Sequence, residues 1–283
     1  MSRFEQHKRP ERPAEKLERL MSAIAQKQNQ ELFFDGVPLL KDDCTINMEA
    51  FGGAAEDEKK IWEQDVKNSA AQNQNVQEYY KAKYNAEGPE QIVKQFRQNR
   101  EEHASVQLEK AVTAIFYKIL KSEYVVVRSA VYDDYFNGID NVIVNKKTGD
   151  IICAFDEVHG QEGQERYDEK KRLKFERSKR QGSELKYGIG LENGRLAKKS
   201  IKNIPVFYLA LSSGEFKELL GRMNFDAESS PNEAEKATFD KLLGSLKSQA
   251  NQLEKEKLSQ EVRSHLFNFR KSSARMEELR AGL

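Results

Sequence analysis

The chain has 283 residues, which is enough for one large domain or two small ones and too few for a large multi-domain enzyme. Its 47 Lys and Arg residues balance its 46 Asp and Glu residues, and with 33% charged and 38% hydrophobic residues it is typical of a compact domain that carries long, solvated helices. No apolar run approaches the ~18 residues of a membrane span, the N-terminus lacks the apolar region of a signal peptide, and two cysteines, Cys44 and Cys153, cannot build a disulfide framework or a four-ligand zinc site. We therefore expect a cytoplasmic protein with reduced thiols and no membrane partner.

The N-terminal third is rich in Gln and Asn and poor in β-branched residues, which indicates helices joined by polar loops. Apolar residues at helical spacing predict an amphipathic helix over residues 14–29. Sparse aromatic and aliphatic anchors favour a helix over residues 54–85, and Pro89 suits the first turn of another helix that runs to about Arg100. We assign residues 1–103 to a helical, partly flexible N-terminal region.

The composition changes near Ser105, where a broad apolar stripe predicts a helix packed on a sheet. β-branched and aromatic runs then predict three strands, which form an antiparallel meander by default. The elements predicted here are, in order, a helix over 105–120, strands over 124–131, 139–145 and 151–158, a helix over 161–179, a hairpin of short strands that turns near 192–195, and a buried strand over 204–211. We assign residues 104–222 to this core.

The remaining chain is helical again, with a short helix followed by a long helical stretch over residues 233–280. The first aromatic and leucine residues of the long stretch fit a heptad seam, which Gln249 then interrupts. The pattern therefore favours a helical hairpin or packing arm over a dimeric coiled coil, and the oligomeric state stays open. We assign residues 223–283 to a C-terminal helical arm.

Acidic residues lie in two of the predicted strands, where burying charge is unfavourable unless a cation or a proton donor meets them. Asp140 is one residue into an otherwise apolar strand, and Asp156 and Glu157 end the next one. In one register of the hairpin Asp140 faces Asp156, and in the register one position away it faces Glu157. In either register two carboxylates share one face of the sheet at adjacent positions.

Two carboxylates this close repel each other, so a divalent cation, a shared proton or a basic partner is needed to hold them. A hard cation such as Mg²⁺ or Mn²⁺ fits oxygen ligands best. The sequence contains no zinc-finger spacing, phosphate-binding glycine loop, dinucleotide fingerprint or nucleophile elbow, which removes several common enzyme classes. The acidic residues are therefore the strongest candidates for chemistry.

At these residues the chain resembles the PD-(D/E)XK nuclease superfamily, particularly its RecB-like branch, over residues 105–211. The core of that family is a helix, a three-stranded meander, a helix and a strand, in the order predicted here. Its second strand often carries an Asp in a Gly-x-Asp context, which Gly138, Ile139 and Asp140 match. The resemblance implies an α/β fold (α+β, mixed sheet) with a restriction-endonuclease-like αβββαβ core and helical N- and C-terminal extensions.

The third strand of the family carries an acidic residue, one spacer and a lysine. Asp156 and Glu157 supply the acid here, and the place of the lysine holds Val158 or His159. Some members take the lysine from the following helix, where this chain has Lys170, Lys171 and Lys174. The RecB-like branch also places a Gln and a Tyr on that helix; Gln164 and Tyr167 are three positions apart, where four is usual.

The resemblance implies metal-assisted hydrolysis of phosphodiester bonds in DNA or RNA. The acids of the two strands would hold Mg²⁺ or Mn²⁺, and Glu109, on the helix before the meander, matches an acidic residue that some members add to the metal site. Lys171 on the later helix, or His159, would orient the attacking water or offset the charge that develops on the phosphate.

Simpler interpretations of several of these residues are also open. Asp133 and Asp134 fit turn chemistry better than metal ligation. The acidic end of the third predicted strand also fits a strand exit that leads to a helix N-terminus, where carboxylates are favourable. His159 fits a surface or capping position, and Glu109 fits a solvent-facing one. Only Asp140 resists such an interpretation, because aliphatic residues surround it in the sequence.

Residues 161–202 contain 13 Lys and Arg residues against 7 Asp and Glu residues. A basic region beside the acidic residues would attract nucleic acid by counterion release, although charges alternate over residues 166–180 as on an ordinary solvated helix. The expected function is a Mg²⁺-dependent nuclease with a nucleic-acid partner. The alternatives are a catalytically inactive PD-(D/E)XK-like module that binds nucleic acid or protein, and an unrelated α+β interaction domain in which Asp140 is paired structurally.

Overall fold

The computed structural model describes residues 11–32, 37–52, 55–69, 73–160, 165–192 and 195–283. Short turns of 3₁₀- and π-helix lie at Met48–Phe51 and Asp133–Asn137. The helices of the described residues are α1 Pro13–Glu31, α2 Ala55–Asn68, α3 Gln74–Tyr84, α4 Gly88–Glu101, α5 Ala104–Leu120, α6 Glu165–Arg180, α7 Ser213–Arg222, α8 Glu233–Leu253 and α9 Gln260–Ala281. The strands are β1 Tyr124–Arg128, β2 Asn141–Asn145, β3 Ile151–His159, β4 Ser183–Glu192, β5 Arg195–Ile204 and β6 Val206–Leu211.

A four-stranded mixed sheet with the order β1-β2-β3-β6 lies at the centre of the molecule. The first three strands form an antiparallel meander, and β6 pairs parallel with β3. A parallel pair needs a long crossover, which α6 and the separate β4–β5 hairpin provide. The predicted order of helix, meander, helix, hairpin and strand is therefore confirmed, and so is the class of a mixed α/β fold with helical extensions at both ends.

Several element boundaries differ from the sequence-based prediction. The helix expected over residues 54–85 is two helices, because Asn73 caps the start of α3 by accepting the backbone N–H of Asn75. The first two strands are shorter than expected, since the chain between them leaves the sheet to form the π-helical turn. The hairpin that turns near residues 192–195 was expected to have short strands, and each of its strands has 10 residues.

The first helix belongs to the main core of the molecule. Leu17, Met21 and Ile24 are fully buried, and α1 packs along α5. Gln28 accepts the backbone N–H of Val126 at 3.1 Å and donates to its C=O at 2.9 Å, so a side chain of α1 satisfies the free edge of β1. A smaller apolar cluster lies among α2, α3 and α4.

The two C-terminal helices pack on each other and on the sheet, as α8 contacts β6 and α9 contacts β3. The ring of Phe239 lies 4.9 Å from that of Phe116 on α5, and the ring of Phe269 lies 5.2 Å from that of Phe207 on β6. The apolar seam of this segment is thus buried against the core of its own chain, which confirms the helical hairpin. No helix in the described part of the chain is both long enough and apolar enough to cross a membrane.

A buried ion pair joins α5 to α8. Nζ of Lys118 lies 2.7 Å from Oε1 of Glu235, and both side chains are 0% exposed. Lys118 also donates to the backbone C=O of Asn224, and Oε2 of Glu235 accepts the N–H of Asn232 at the start of α8. Each charge is therefore compensated in the interior, where an unpaired charge is strongly destabilising.

We expect Glu235→Ala to lower the free energy of unfolding by about 3–5 kcal/mol, because it leaves the ammonium of Lys118 buried without its partner. Urea denaturation followed by circular dichroism measures this loss. The double variant Lys118→Met/Glu235→Met is the control, and it should lose clearly less than the sum of the two single substitutions. Additive losses would show that the two side chains do not stabilise each other.

Candidate active site at the edge of β2 and β3

Asp140 is positioned by the π-helical turn before it and by β3 beside it. The turn Asp133–Asn137 ends at Gly138, which adopts a left-handed conformation with φ of 62°. The backbone N–H of Asp140 then donates to the C=O of Phe155 at 3.0 Å. Its Oδ2 accepts the backbone N–H of Glu157 at 2.8 Å. These two bonds hold the buried carboxyl group against the neighbouring strand.

The pairing of β2 with β3 decides which acidic residue faces Asp140. Asn141 pairs with Phe155, and a β-bulge nearer the turn absorbs one residue of β3. When this pairing is continued by one position, Asp140 lies opposite Asp156. Beyond the bulge the pairing follows the first of the two predicted registers, in which Asp140 faces Asp156, and the carboxylate of Asp156 raises the pKa of Asp140.

A lysine from α6 contacts one of these aspartates, Asp156. Nζ of Lys174 lies 2.5 Å from Oδ2 of Asp156, and the two side chains are only 16% and 12% exposed. The same ammonium donates to the backbone C=O of Gly138, where a Cβ would overlap it. Lys171, the lysine that we expected in this role, lies three positions earlier on α6 and is partly exposed. An ammonium group therefore reaches the acidic residues from the following helix, and Lys174 supplies it.

Glu157 points to the opposite face of the sheet, as the alternation of side chains along a strand requires. Its Oε1 accepts a hydrogen bond from Nδ2 of Asn141 at 2.5 Å. Oδ1 of Asn141 lies in turn 2.6 Å from the hydroxyl of Thr113 on α5. Oε2 of Glu157 is buried and has no hydrogen-bond partner among the described residues. One oxygen of this carboxyl group is thus left to accept a ligand.

Glu109 is buried beneath the sheet instead of facing solvent, so the solvent-facing interpretation of this residue is wrong. Its Oε2 lies 2.8 Å from the guanidinium of Arg128, which also contacts Asp43 at 2.5 Å. Arg128 ends β1, and its position explains why an acidic residue is tolerated on the buried face of α5. Oε2 of Glu109 is thus already engaged in an ion pair with Arg128.

The acidic residues influence one another electrostatically. Burial raises the pKa of Asp140 well above its ordinary value, and the carboxylates of Asp156 and Glu109 raise it further. Burial also raises the pKa of Glu157 well above its ordinary value, with Glu109 and Asp156 adding to the effect. The pKa of Glu109 is raised by burial against the opposing effect of Arg128. We call the group formed by Glu109, Asp140, Asp156 and Glu157 the acidic cluster.

Asp133 and Asp134 make structural contacts beside the acidic cluster, in agreement with the interpretation that they are not metal ligands. Asp133 is 0% exposed and accepts the backbone N–H groups of Lys186 and Tyr187 at 2.8 and 3.0 Å, which ties the π-helical turn to β4. Asp134 lies 2.5 Å from the guanidinium of Arg100 on α4. The role of Asp133 is wider than turn chemistry, because it joins two elements.

His159 ends β3 two positions after Glu157 and is partly buried. Its ring packs edge-to-face on Phe216 of α7, with 5.8 Å between the ring centroids. His159 is thus a partly buried residue that packs on α7, and its catalytic role stays a prediction. Gln164 and the side chain of Tyr167 lie outside the described residues.

No group of three or more His, Cys, Asp and Glu side chains in the described ranges is arranged to hold a metal ion on its own. The donors that the α6 side of the sheet offers are the carboxylates of Asp140 and Asp156, whereas the unpartnered Oε2 of Glu157 lies on the α5 side with Asn141 and Thr113. All are hard oxygen ligands. Mg²⁺ commonly binds one or two carboxylates and completes its coordination with water and substrate phosphates, so this donor set suits that ion.

Comparisons of the chain with protein-family models, with curated proteins and with solved structures give no match. Membership of the PD-(D/E)XK superfamily therefore stays a prediction. The chemistry of the site is inferred below from the arrangement of its own residues.

Three residues of the site, Thr113, Asn141 and Arg128, were not expected from the sequence. Asn141 contacts Glu157, Arg128 contacts Glu109, and Thr113 contacts Asn141, through bonds that span 16 to 28 positions along the chain. Asn141 carried the one available signal, since an amide inside an apolar strand needs a polar partner. Nothing in the sequence near Arg128 indicates that its partner is Glu109.

We expect Asp140→Asn to raise the free energy of unfolding in EDTA at about pH 7.5 and to change it little at about pH 4. The folded-state pKa of Asp140 lies above the unfolded value, so stability is lost as the pH rises from the ordinary carboxyl range through the folded pKa. The amide removes that loss and retains an acceptor for the N–H of Glu157. Urea titrations at both pH values measure the difference, with Asp226→Asn on an exposed loop as control. An equal effect at both pH values would contradict this origin.

Proposed function

We propose that the protein is a phosphodiesterase of the PD-(D/E)XK type, which hydrolyses DNA or RNA with Mg²⁺ or Mn²⁺ as cofactor. The observation that carries the proposal is the convergence of Asp140, Asp156 and Lys174 from β2, β3 and α6. The order of helix, meander, crossover helix and parallel strand supports the same proposal.

A purely structural role explains this arrangement less well. Lys174 compensates the charge of Asp156, whereas no basic side chain in the described part of the chain forms an ion pair with Asp140 or Glu157. Burying such acidic groups is expensive, and groups with strongly perturbed pKa values concentrate at functional sites. The excess of negative charge at the acidic cluster therefore favours a site that receives a cation.

A divalent cation suits that excess because the free donors are carboxylate oxygens. Asp140 and Asp156 would hold it, and Glu157, which the sequence also suggested as a ligand, lies on the other face of the sheet with Asn141. When bound, the ion would supply Lewis-acid stabilisation of the negative charge that develops on a phosphodiester during hydrolysis.

The residues of the chain itself would orient the groups and balance their charge. Lys174 would offset negative charge on the phosphate, in the place that the absent strand lysine has in the family. Asn141 holds the carboxyl group of Glu157 in one orientation through its amide. The backbone C=O of Gly138 accepts a hydrogen bond from the ammonium group of Lys174 and so fixes the position of that group relative to the sheet.

The basic helix α6 supports nucleic acid as the substrate class. Its basic residues make contacts with other elements, as Arg177 donates to the C=O of Asn137 and Lys179 pairs with Glu256. Arg172 and Arg180 are exposed on the same helix. Exposed arginines on the helix that supplies Lys174 would attract the phosphate backbone.

The test is cleavage of labelled single- and double-stranded DNA and RNA in Mg²⁺, Mn²⁺ or EDTA. We expect metal-dependent cleavage that Asp140→Ala abolishes. We expect Lys174→Ala to reduce the rate by about 100-fold or more, as the loss of a group that stabilises transition-state charge does.

Lys179→Ala is the matched control, because this lysine lies on the same helix and contacts Glu256 at 2.6 Å, away from the acidic cluster. It should leave the rate unchanged within about threefold, the scale expected for a surface charge. Lys171→Ala tests the lysine that the sequence favoured. Cleavage that survives Asp140→Ala would contradict the proposal, and binding of nucleic acid without cleavage in any metal would favour the non-catalytic alternative.

A further inference from the structure

A cavity of about 620 Å³ lies beside the acidic cluster, between α2, α4 and the π-helical turn. Its size falls in the range of small-molecule sites. Trp62 and Tyr135 line it together with Ile61, Met48 and Val131, so it offers both aromatic and aliphatic surface. It shares no residue with the acidic cluster.

Arginines lie over both aromatic rings of the cavity. The guanidinium of Arg100 is 4.5 Å from the ring centroid of Tyr135, and that of Arg97 is 6.0 Å from the ring centroid of Trp62. The buried carboxylate of Asp65 fixes this arrangement, since it accepts from Arg97 at 2.7 Å and from the hydroxyl of Tyr135 at 2.6 Å. Planar aromatic and guanidinium groups of this kind are surfaces on which a nucleobase stacks.

The charge of the cavity argues against a free anion as its ligand. Its basic residues are Arg97, Arg100 and Lys41, and both arginines already contact acidic partners. Its acidic residues are Glu49, Glu58, Asp65 and Glu101. Carboxylates and the oxygens of amides accept hydrogen bonds from the N–H groups of a base edge, and the carboxylates repel phosphate.

Arg100 and Asp134 connect the cavity to the surroundings of Asp140. Arg100 lines the cavity and contacts Asp134, and the carboxylate of Asp134 is close enough to Asp140 to raise its pKa. The residue before Asp134 is held by β4, so the π-helical turn that carries Tyr135 is fixed relative to both sites.

We propose that the cavity between Trp62 and Tyr135 binds an unstacked nucleobase of a single-stranded nucleic acid substrate. This inference rests on the proposed function for the nature of the ligand. It assigns the substrate class: strands with unpaired bases bind, and a fully paired duplex leaves the cavity empty.

Trp62 is the only tryptophan of the chain, so its fluorescence reports directly on the cavity. The experiment titrates the full chain in EDTA with a single-stranded oligonucleotide, the matching blunt duplex, nucleoside monophosphates and ribose 5-phosphate. We expect saturable changes in emission and protection of Trp62 from acrylamide with the single strand and the nucleotides. Ribose 5-phosphate and the duplex should produce neither change. Equal responses to ribose 5-phosphate and to nucleotides, or no response to the single strand, would overturn the inference.

Variants of Tyr135 separate stacking from hydrogen bonding. Tyr135→Leu and Tyr135→Phe both remove the hydroxyl that binds Asp65, and only the leucine variant removes the ring. We expect Tyr135→Leu to weaken binding of the single strand by about fivefold or more, because one stacking contact is lost, and Tyr135→Phe to bind within about twofold of the wild type. Equal weakening in the two variants would contradict a stacked base. The acrylamide measurement on the wild-type protein decides the question if the leucine variant does not fold.

The same titration distinguishes failure of this inference from failure of the proposed function. Asp156→Asn should abolish cleavage in Mg²⁺ and leave the response of Trp62 in EDTA unchanged. A wild-type protein that cleaves single strands without any response of Trp62 would refute the base site alone. A response of Trp62 without cleavage in any metal would refute the nuclease alone.

Discussion

The approach of Asp140 and Asp156 across two adjacent strands is the constraint on which the rest of the site depends. Two carboxylates that face each other in a buried place repel, and the fold compensates only part of that charge. Lys174 contacts one of the two aspartates, at 2.5 Å. The N–H of Glu157 binds the other, and this bond orients the carboxyl group without neutralising it. The chain therefore stabilises a site that it leaves electrostatically incomplete, an arrangement that stability alone does not favour.

The helices outside the central sheet also support this site. Arg128 links Glu109 on α5 to Asp43 in the segment after α1, and Gln28 on α1 satisfies the edge of β1. Arg100 on α4 contacts Asp134, and this ion pair holds the π-helical turn in place from the side of the α2–α4 region. The N-terminal region is thus part of the structure that positions the acidic residues, and its removal would expose both the sheet edge and the buried ion pairs.

Much of the fold could be predicted from the sequence, because hydrophobic periodicity is a local property that sets the type and order of the elements. The approach of Asp140 to Asp156 could be predicted as one of two registers. The choice between them depended on a β-bulge between β2 and β3, for which the sequence gives no clear signal. The lysine that contacts the acidic residues could be predicted only as one of three candidates on the same helix, Lys170, Lys171 and Lys174. The packing of that helix on the sheet selects Lys174, and this packing depends on contacts far apart in the chain.

Gly138 links the conformation of the π-helical turn to the position of the ammonium group of Lys174. Its left-handed conformation disfavours any residue with a side chain, and a Cβ there would occupy the volume of the lysine ammonium. Gly138 is thus needed for the turn. The absence of a side chain at Gly138 also leaves room for the ammonium group of Lys174 from α6. A residue with a side chain at position 138 would therefore disturb the turn and displace the ammonium group of Lys174 at the same time.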